Sequence, residues 1–430
     1  MSLTCPFDIE QWQIFVREGA EANPGRIQQI GRFQPSHPIL TTCVIVAAGF
    51  VVECLRRPSA LTDPGLYAED GVIFWLQSLS AGLGSVLQPY NGYLHLLPRL
   101  IAAVASWLPL TATPLFFACA SAIVAVSACG LILSKRFSPL IPSYFARILV
   151  FGLLLLMPRL TEVHLSLNSV LWWCGVALFL SCLADDPSTN SGRGVELTAT
   201  ALLVLSGLAG VVLAPLALLR WWRLRTRHSL RLLIIWWTLS VVQLGVYLTQ
   251  NRQNGQVPLG TPLARSGVEK VFGSLALGRN AVDGRWATGV PLAILAVLAV
   301  FVAAWVIIVI LGTRWTYSVP IIWAATVPLF AGFLALGPQA AALPDRYTVL
   351  PITAVIIGLV CAVPNPVVLK YLRVAALVLV VTVRVTDFAV PSRPSTHWIE
   401  SMKCMKQERN QCVVQLNQEG WSVTIPAGVR

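Results

Sequence analysis

Two neighbouring acids, Glu69 and Asp70, stand out in a chain that carries little charge. They lie in the stretch LYAEDGVIFWLQ, residues 66–77, among aromatic side chains and just after the first apolar segment. A carboxylate at such a position can accept the proton of a hydroxyl group that attacks an electrophile. Two adjacent acids in a partly dry site also tend to raise each other's pKa. Asp70, or failing it Glu69, is therefore the candidate general base, and the alternative is an acid that caps an interfacial helix.

Other polar residues that could bind a substrate lie in two short stretches between apolar segments. Arg346 stands in PDRYTVLP, and a guanidinium group offers forked donors to phosphate oxygens. The stretch PRLTEVHLSLN contributes contacts to a sugar or an acceptor, or simply caps the next helix; its three candidates are Glu162, His164 and Asn168. Further candidate cations are Arg99, Arg265, Lys270, Arg279 and Arg285. For each cation the alternative is a side chain that snorkels to the membrane surface.

The composition indicates an integral membrane protein. Of the 430 residues, 56% are hydrophobic and only 12% are charged, and the mean hydropathy is +0.71. Repeated apolar runs are long enough to cross about 30 Å of hydrocarbon as helices. The net charge of +12 could suggest nucleic acid, but the basic residues are dispersed among apolar segments and their ends. We interpret them as determinants of topology and as contacts to lipid phosphates.

The pattern predicts an all-α, polytopic bundle of about eleven membrane helices. Their predicted ranges are 38–55, 111–133, 139–157, 169–184, 195–206, 208–222, 230–249, 290–311, 317–336, 349–363 and 373–390. The arginine-rich segment RWWRLRTRHSLR, after residue 219, is strongly biased to the cytoplasm, and the flank near Arg193 is cytoplasmic too if the N-terminus is. The fifth and sixth segments, which lie between these flanks, therefore form a re-entrant hairpin with its turn at residues 206–210.

This topology divides the chain into three parts. Residues 1–37 form a cytoplasmic segment, residues 38–390 the membrane domain, and residues 391–430 an extracytoplasmic tail. The first outer loop, residues 56–110, has an amphipathic aromatic pattern that is typical of interfacial helices. The tail indicates a small strand-forming appendage that could cover the outer site, and its Cys404 and Cys412 could form a disulfide there.

The outer loops resemble those of the GT-C superfamily of membrane glycosyltransferases, in particular bacterial enzymes that decorate surface polysaccharides. The resemblance rests on Ala68-Glu69-Asp70-Gly71, on the block PYNGYLHLLPR of residues 89–99, and on Asp345-Arg346-Tyr347. It implies transfer, with inversion, of a sugar from a polyprenyl-phosphate donor to a cell-envelope glycan on the outer face of the bacterial inner membrane. It also implies substrate contacts by Asn91, Tyr93, His95, Arg99 and Tyr347. The chain departs from the family pattern because it lacks a separated Asp-x-Asp.

Two alternatives and the question of a metal stay open at this stage. His95 and His164 could bind a divalent metal with the two acids, but no close spacing favours this, and no cofactor is predicted. The main alternative function is a transporter or a flippase for lipid-linked glycans. Charge is concentrated in the loops rather than in the middle of the spans, which favours interfacial chemistry. An assembly protein or an acyltransferase is a third interpretation.

Overall fold

The computed structural model describes residues 38–249, 266–285, 292–336, 343–363, 367–403 and 412–425. The all-α prediction is confirmed for these residues, apart from one small hairpin of strands in the tail. Each of the eleven predicted apolar segments corresponds to a helix. These are α1 Pro38–Leu55, α2 Thr113–Gly130, α3 Tyr144–Leu155, α4 Val170–Leu183, α5 Asn190–Val204, α6 Ala209–Leu224, α7 Arg227–Thr249, α8 Leu292–Gly312, α9 Trp315–Leu336, α10 Val349–Cys361 and α11 Val367–Thr386.

Short helices fill the long loop between α1 and α2. A π-helix over Asp70–Trp75 continues into an α-helix over Leu76–Ala81, and a ten-residue helix spans Leu96–Ala105. The remaining short helices are Ser59–Thr62, Gly82–Ser85, Leu110–Ala112, Leu131–Leu133, Lys135–Phe137, Ser266–Gly273, Ser274–Leu277, Arg279–Arg285, Asp345–Thr348 and Trp398–Ser401. The loop between α1 and α2 is thus helical where the sequence predicts interfacial helices.

Two helical stretches are long and apolar enough to cross a membrane by length and composition, among the described residues. They are Leu110–Leu133 and Arg227–Thr249, and five shorter apolar helices accompany them. This finding supports association with a membrane.

The predicted hairpin of the fifth and sixth segments is present as α5 and α6. A Cβ atom at Gly210 would lie 3.0 Å from Cα of Val204, so the turn needs glycine to bring the two helices this close. The turn binds the loop that carries the acids, because Leu205 O accepts from the N–H of Leu96 at 3.1 Å and Ser206 Oγ from the N–H of Leu97 at 2.9 Å. The hairpin therefore fixes the start of the helix at Leu96–Ala105.

Helix α4 has a polar cluster at each end. It begins two residues after Asn168, near the loop that carries Glu69 and Asp70, and it ends at Leu183, next to Asp185 and Asp186. The cluster after its C-terminal end is centred on the buried Glu196. The carboxylate of Glu196 accepts from Arg220 at 2.9 and 3.1 Å, lies 2.8 Å from Nε2 of His228, and also accepts from Arg136. Arg220 also bonds to Asp186 at 2.9 Å. These charged groups join α4, α5, α6 and α7 at one end of the bundle.

The tail packs onto the loop that carries Glu69 and Asp70. Strands β1 Cys412–Gln415 and β2 Ser422–Ile425 pair antiparallel, which confirms the prediction of strands. Trp398 packs edge-on against Trp75 with ring centres 5.4 Å apart, and the N–H of Asn417 bonds to Leu66 O at 2.8 Å. Cys412 is disulfide-bonded, and Cys404 lies outside the described residues. The tail is therefore part of the structure around the two acids.

We expect Arg220→Ala to destabilise the protein strongly, because it leaves Glu196 buried with fewer partners. Removing one member of a buried ion pair costs about 3–5 kcal/mol. Thermal unfolding in a single detergent measures the effect, with Arg314→Ala as the matched control because Arg314 is exposed. Equal unfolding temperatures for the two variants would contradict the central place given to Arg220.

Candidate functional site

Asp70 is buried at the start of its π-helix, with 3% of its surface exposed. The chain enters this helix through Ala68, which has a positive φ of 43°. The carboxylate accepts from the backbone N–H of Asn168 at 2.6 Å, the N–H of Leu167 at 3.1 Å and Oγ of Ser166 at 3.2 Å. Asp70 is thus bound to the loop before α4. It does not cap its own helix, so the alternative interpretation of this acid is wrong.

Burial raises the pKa of Asp70 to about 7, because an ionised carboxylate loses its hydration there. The hydrogen bonds from Asn168 and Leu167 and the charge of Arg393 lower this pKa, while Glu69 contributes a smaller rise. The predicted direction is therefore correct, but burial is a larger cause than the neighbouring acid. A carboxylate with a pKa near neutrality is suited to accept a proton in catalysis.

Glu69 lies beside Asp70 at a half-buried position. Its carboxylate accepts from Nδ2 of Asn168 at 2.7 Å and contacts the hydroxyl of Tyr90 at 3.5 Å. Asn168 therefore binds Asp70 through its backbone and Glu69 through its side chain. Asn168 is a predicted site residue that the structure brings to both acids, and Tyr90 is an addition from the Tyr-Asn-Gly-Tyr block.

Arg346 and Glu162 are two separate candidates that the structure brings together. Nη1 of Arg346 lies 2.7 Å from Oε2 of Glu162, and the two side chains are 39% and 32% exposed. The guanidinium of Arg346 also lies 5.7 Å from the ring centre of Tyr347, whose other ring contact is Trp172. The pair is accessible to solvent, so a charged ligand can reach it.

The sequence analysis missed Arg393 and Tyr67. Nη2 of Arg393 donates to the carbonyl oxygens of His164 at 3.1 Å and Glu162 at 3.3 Å, in the loop that binds Asp70. Its guanidinium lies 4.0 Å from the ring centre of Tyr67. Burial lowers the pKa of Arg393 to about 10, so the side chain is charged at neutral pH. The only signal in the sequence is a lone arginine shortly after the last apolar segment.

His164 does not join the site, which corrects the prediction that it contacts substrate. Its ring is fully buried, and Nδ1 lies 2.9 Å from Oε1 of Glu53 in α1. Only the backbone carbonyl of His164 reaches the site, through Arg393. A histidine in this loop points inwards because α1 offers a buried carboxylate as its partner.

The block of residues 91–99 packs on aromatic rings rather than on the acids. His95 is buried and stacks on Tyr93 with ring centres 4.3 Å apart, and burial lowers the pKa of His95 to about 3. Arg99, 1% exposed, lies 5.4 Å from the ring centre of Phe74, and its guanidinium nitrogens have no hydrogen-bond partner among the described residues. Asn91 is exposed at a turn. The contacts described for His95 and Arg99 are with aromatic rings rather than with Glu69 or Asp70.

Lys270 and Arg279, the other candidate cations whose side chains are described, pair with acids other than Glu69 and Asp70. Lys270 lies 3.1 Å from Asp345, and Arg279 lies 3.2 Å from Asp283. Arg159 links this network, because it contacts Asp345 at 3.1 Å and Asp283 at 2.8 Å. Arg265 and the side chain of Arg285 lie outside the described residues.

The group of side chains with metal-like spacing lies at the other end of α4. Within the described ranges, Asp186, Glu196 and His228 present ligand atoms within 4.8 Å of one another. Arg220 donates hydrogen bonds to both Asp186 and Glu196, so its guanidinium group balances the negative charge of these two acids. His95 and His164 make their contacts elsewhere, as described above, and neither approaches the two acids as a metal ligand would.

Comparisons with known proteins do not identify a relative. No family model, curated protein or solved structure matches the chain. The function must therefore be argued from the site itself.

We expect the stability of the protein to fall as the pH rises from about 4 to about 7, because of Asp70. Its pKa is 3.8 in an unperturbed chain and about 7 in the fold, so the folded state holds this proton more tightly. The total loss is on the order of 4 kcal/mol, at about 1.4 kcal/mol per pH unit, with no further change above this range.

Unfolding of Asp70→Asn over the same pH range isolates this effect. The variant lacks the titrating group, so its stability relative to the unsubstituted protein should increase with pH up to about 7. A constant difference between the two proteins from pH 4 to pH 8 would show that Asp70 titrates normally.

Proposed function

We propose that this protein is a membrane glycosyltransferase of the GT-C type, which transfers a sugar from a polyprenyl-phosphate donor to a cell-envelope glycan. The observation that carries the proposal is the environment of Asp70. A buried carboxylate with a pKa near neutrality lies beside a partly exposed polar surface that contains Arg346 and Arg393. A general base and cations that can bind phosphate are the two requirements of this reaction.

The reaction is a single displacement at the anomeric carbon. The acceptor oxygen forms its bond to this carbon as the bond to the phosphate oxygen breaks, which inverts the configuration. The acceptor proton passes to the carboxylate of Asp70, and the electron pair of the broken bond leaves with the lipid phosphate. Cations near the leaving group stabilise the charge that develops there, so no acid catalyst is needed. Asn168 holds Asp70 and Glu69 in place.

A membrane location suits this substrate, because the lipid tail of the donor stays in the bilayer while its phosphate lies at the surface. Several helices expose large apolar side chains that lipid would cover. Examples are Ile39 in α1, Val300 in α8 and Val385 in α11, which are 80%, 69% and 75% exposed. These faces support a bundle of about eleven membrane helices, in which α5 and α6 form a re-entrant pair.

Several features favour an extracytoplasmic site. The arginine-rich segment at the start of α7 lies at the end of α4 away from Asp70, and positive segments are retained in the cytoplasm. The disulfide of Cys412 belongs to an oxidising compartment, and the tail that contains it packs beside Asp70. The acceptor in our proposal is therefore a glycan on the outer face of the bacterial inner membrane.

We expect Asp70→Asn to lower the turnover number by at least about 100-fold, because the base is lost. Glu69→Gln should have a smaller effect, since Glu69 is more exposed and acts beside the base. The assay is transfer of sugar by the purified protein in detergent, from a synthetic polyprenyl-phosphate sugar to a glycan acceptor.

One control variant and one contrast with the alternative function complete this assay. Arg314→Ala reports on purification and folding, because it changes an exposed arginine outside the site. A transporter or a flippase moves its substrate across a membrane without transferring the sugar, so it would form no glycosylated product in this assay. Full transfer by correctly folded Asp70→Asn would show that the base is misassigned.

A further inference from the structure

Arg393 and Arg57 form a pair of neighbouring cations on the loop that binds Asp70. Both donate to the same two carbonyl oxygens: Arg57 binds His164 O at 2.8 Å and Thr161 O at 2.7 Å, and Arg393 binds them at 3.1 and 3.5 Å. Guanidinium groups that share acceptors lie close together and repel each other. The pair therefore concentrates positive charge in this loop.

No carboxylate neutralises this pair directly. Among the described residues, neither Arg57 nor Arg393 has a carboxylate oxygen within 4.0 Å, whereas Arg346 is paired with Glu162. Nε of Arg393 is also buried without a hydrogen-bond partner in the described part of the chain. Two close cations whose hydrogen-bond acceptors are all neutral are stabilised when an anion binds, since the carboxylates of Asp70 and Glu162 act on Arg393 only from a longer distance. Arg57 is 1% exposed, so Arg393 is the member of the pair that a ligand can reach.

The position of Arg393 is suited to the phosphate of a bound donor. Arg393 contacts the carbonyl oxygen of Glu162 and Arg346 contacts its carboxylate, so both arginines lie next to the same residue. Tyr67, three residues before Asp70, lies under the guanidinium of Arg393. The charges of Arg393, Arg346, Glu162 and Glu69 all act on Tyr67, so the two arginines lie close to the segment that carries the acids.

We propose that Arg393, in the segment after the last long helix, binds the phosphate of the lipid-linked donor and stabilises it as it leaves. This inference rests on the proposed function and deepens it, because it makes the C-terminal tail a part of the substrate site. During transfer the phosphodiester becomes a monoester and gains one negative charge. Arg393 and Arg346 meet that charge with forked donors.

The anchoring of the tail explains how an arginine so far along the chain is held at the site. Arg57 Nε donates to Pro391 O at 3.0 Å, and the N–H of Val390 donates to Arg56 O at 2.8 Å. These bonds fix the backbone immediately before Arg393. Asn417 and Trp398 hold the rest of the tail on the segment that carries Asp70.

The test compares the binding of polyprenyl monophosphate with the binding of polyprenol, which lacks the phosphate. The variants are Arg393→Gln, Arg393→Lys and the control Arg314→Ala. Glutamine keeps an amide donor for the carbonyl oxygens but removes the charge, and lysine keeps the charge but removes the fork. Binding is measured for the full-length protein in nanodiscs, together with its unfolding temperature.

We expect Arg393→Gln to weaken binding of the monophosphate at least 10-fold and to leave polyprenol binding within 2-fold. Arg393→Lys should lie between this variant and the unsubstituted protein, and Arg314→Ala should change neither. The acid limb of the pH–rate profile should also move to higher pH in Arg393→Gln. The lost positive charge no longer lowers the pKa of Asp70.

Three results would overturn the inference. These are unchanged monophosphate binding in Arg393→Gln, equal weakening of both lipids, or a loss of binding in the lysine variant that equals the loss in the glutamine variant. Failure of the proposed function is distinguishable, because then the unsubstituted protein transfers no sugar, whatever the lipid-binding assay shows for Arg393. An inactive Asp70→Asn with an unaffected Arg393→Gln would reject the inference alone.

Discussion

The geometry of the site depends on two adjacent arginines at the end of the first helix, which bind backbone carbonyls of distant segments. Arg56 donates to Met157 O at 2.9 Å and Phe388 O at 3.0 Å, and also to Leu155 O. Arg57 donates to His164 O, Thr161 O and Pro391 O. The two side chains thereby join α1, the loop before α4 and the start of the tail. All three are needed, because the loop supplies the donors to Asp70 and the tail supplies Arg393.

These arginines also provide hydrogen-bond donors to the backbone of the loop that binds Asp70. Residues 156–169 have little regular structure, and Arg159 and Leu165 have positive φ angles of 60° and 53°. Buried backbone carbonyls without partners would destabilise such a segment. The arginines supply charged donors from one side, and the Asp70 carboxylate accepts the free N–H groups of Leu167 and Asn168 on the other. Loop and site therefore stabilise each other.

The sequence predicts the helices well, because apolar runs of this length leave few alternatives. It also names Glu69, Asp70, Asn168, Arg346 and Glu162 as separate candidates, and the structure brings Asn168 to the two acids and Arg346 to Glu162. These residues lie in loops that the predicted topology places on one face. It fails for His164, whose partner Glu53 lies more than a hundred residues away in an apolar helix. It also fails for Arg393, since nothing local indicates that the tail folds back. Such long-range contacts depend on how the loops pack, and periodicity does not report on loop packing.

Burial links the properties of Asp70 and Arg393. The loss of hydration that raises the pKa of Asp70 to about 7 also lowers the pKa of Arg393 to about 10. In water a charge a few ångströms away would have a small effect, whereas in a partly dry site the interaction between charges is several times stronger. Together with the hydrogen bonds from Asn168 and Leu167, the cation lowers the pKa of Asp70 and opposes the rise that burial causes. A phosphate bound to Arg393 would offset part of that charge, so the carboxylate would hold the acceptor proton more tightly once it has received it.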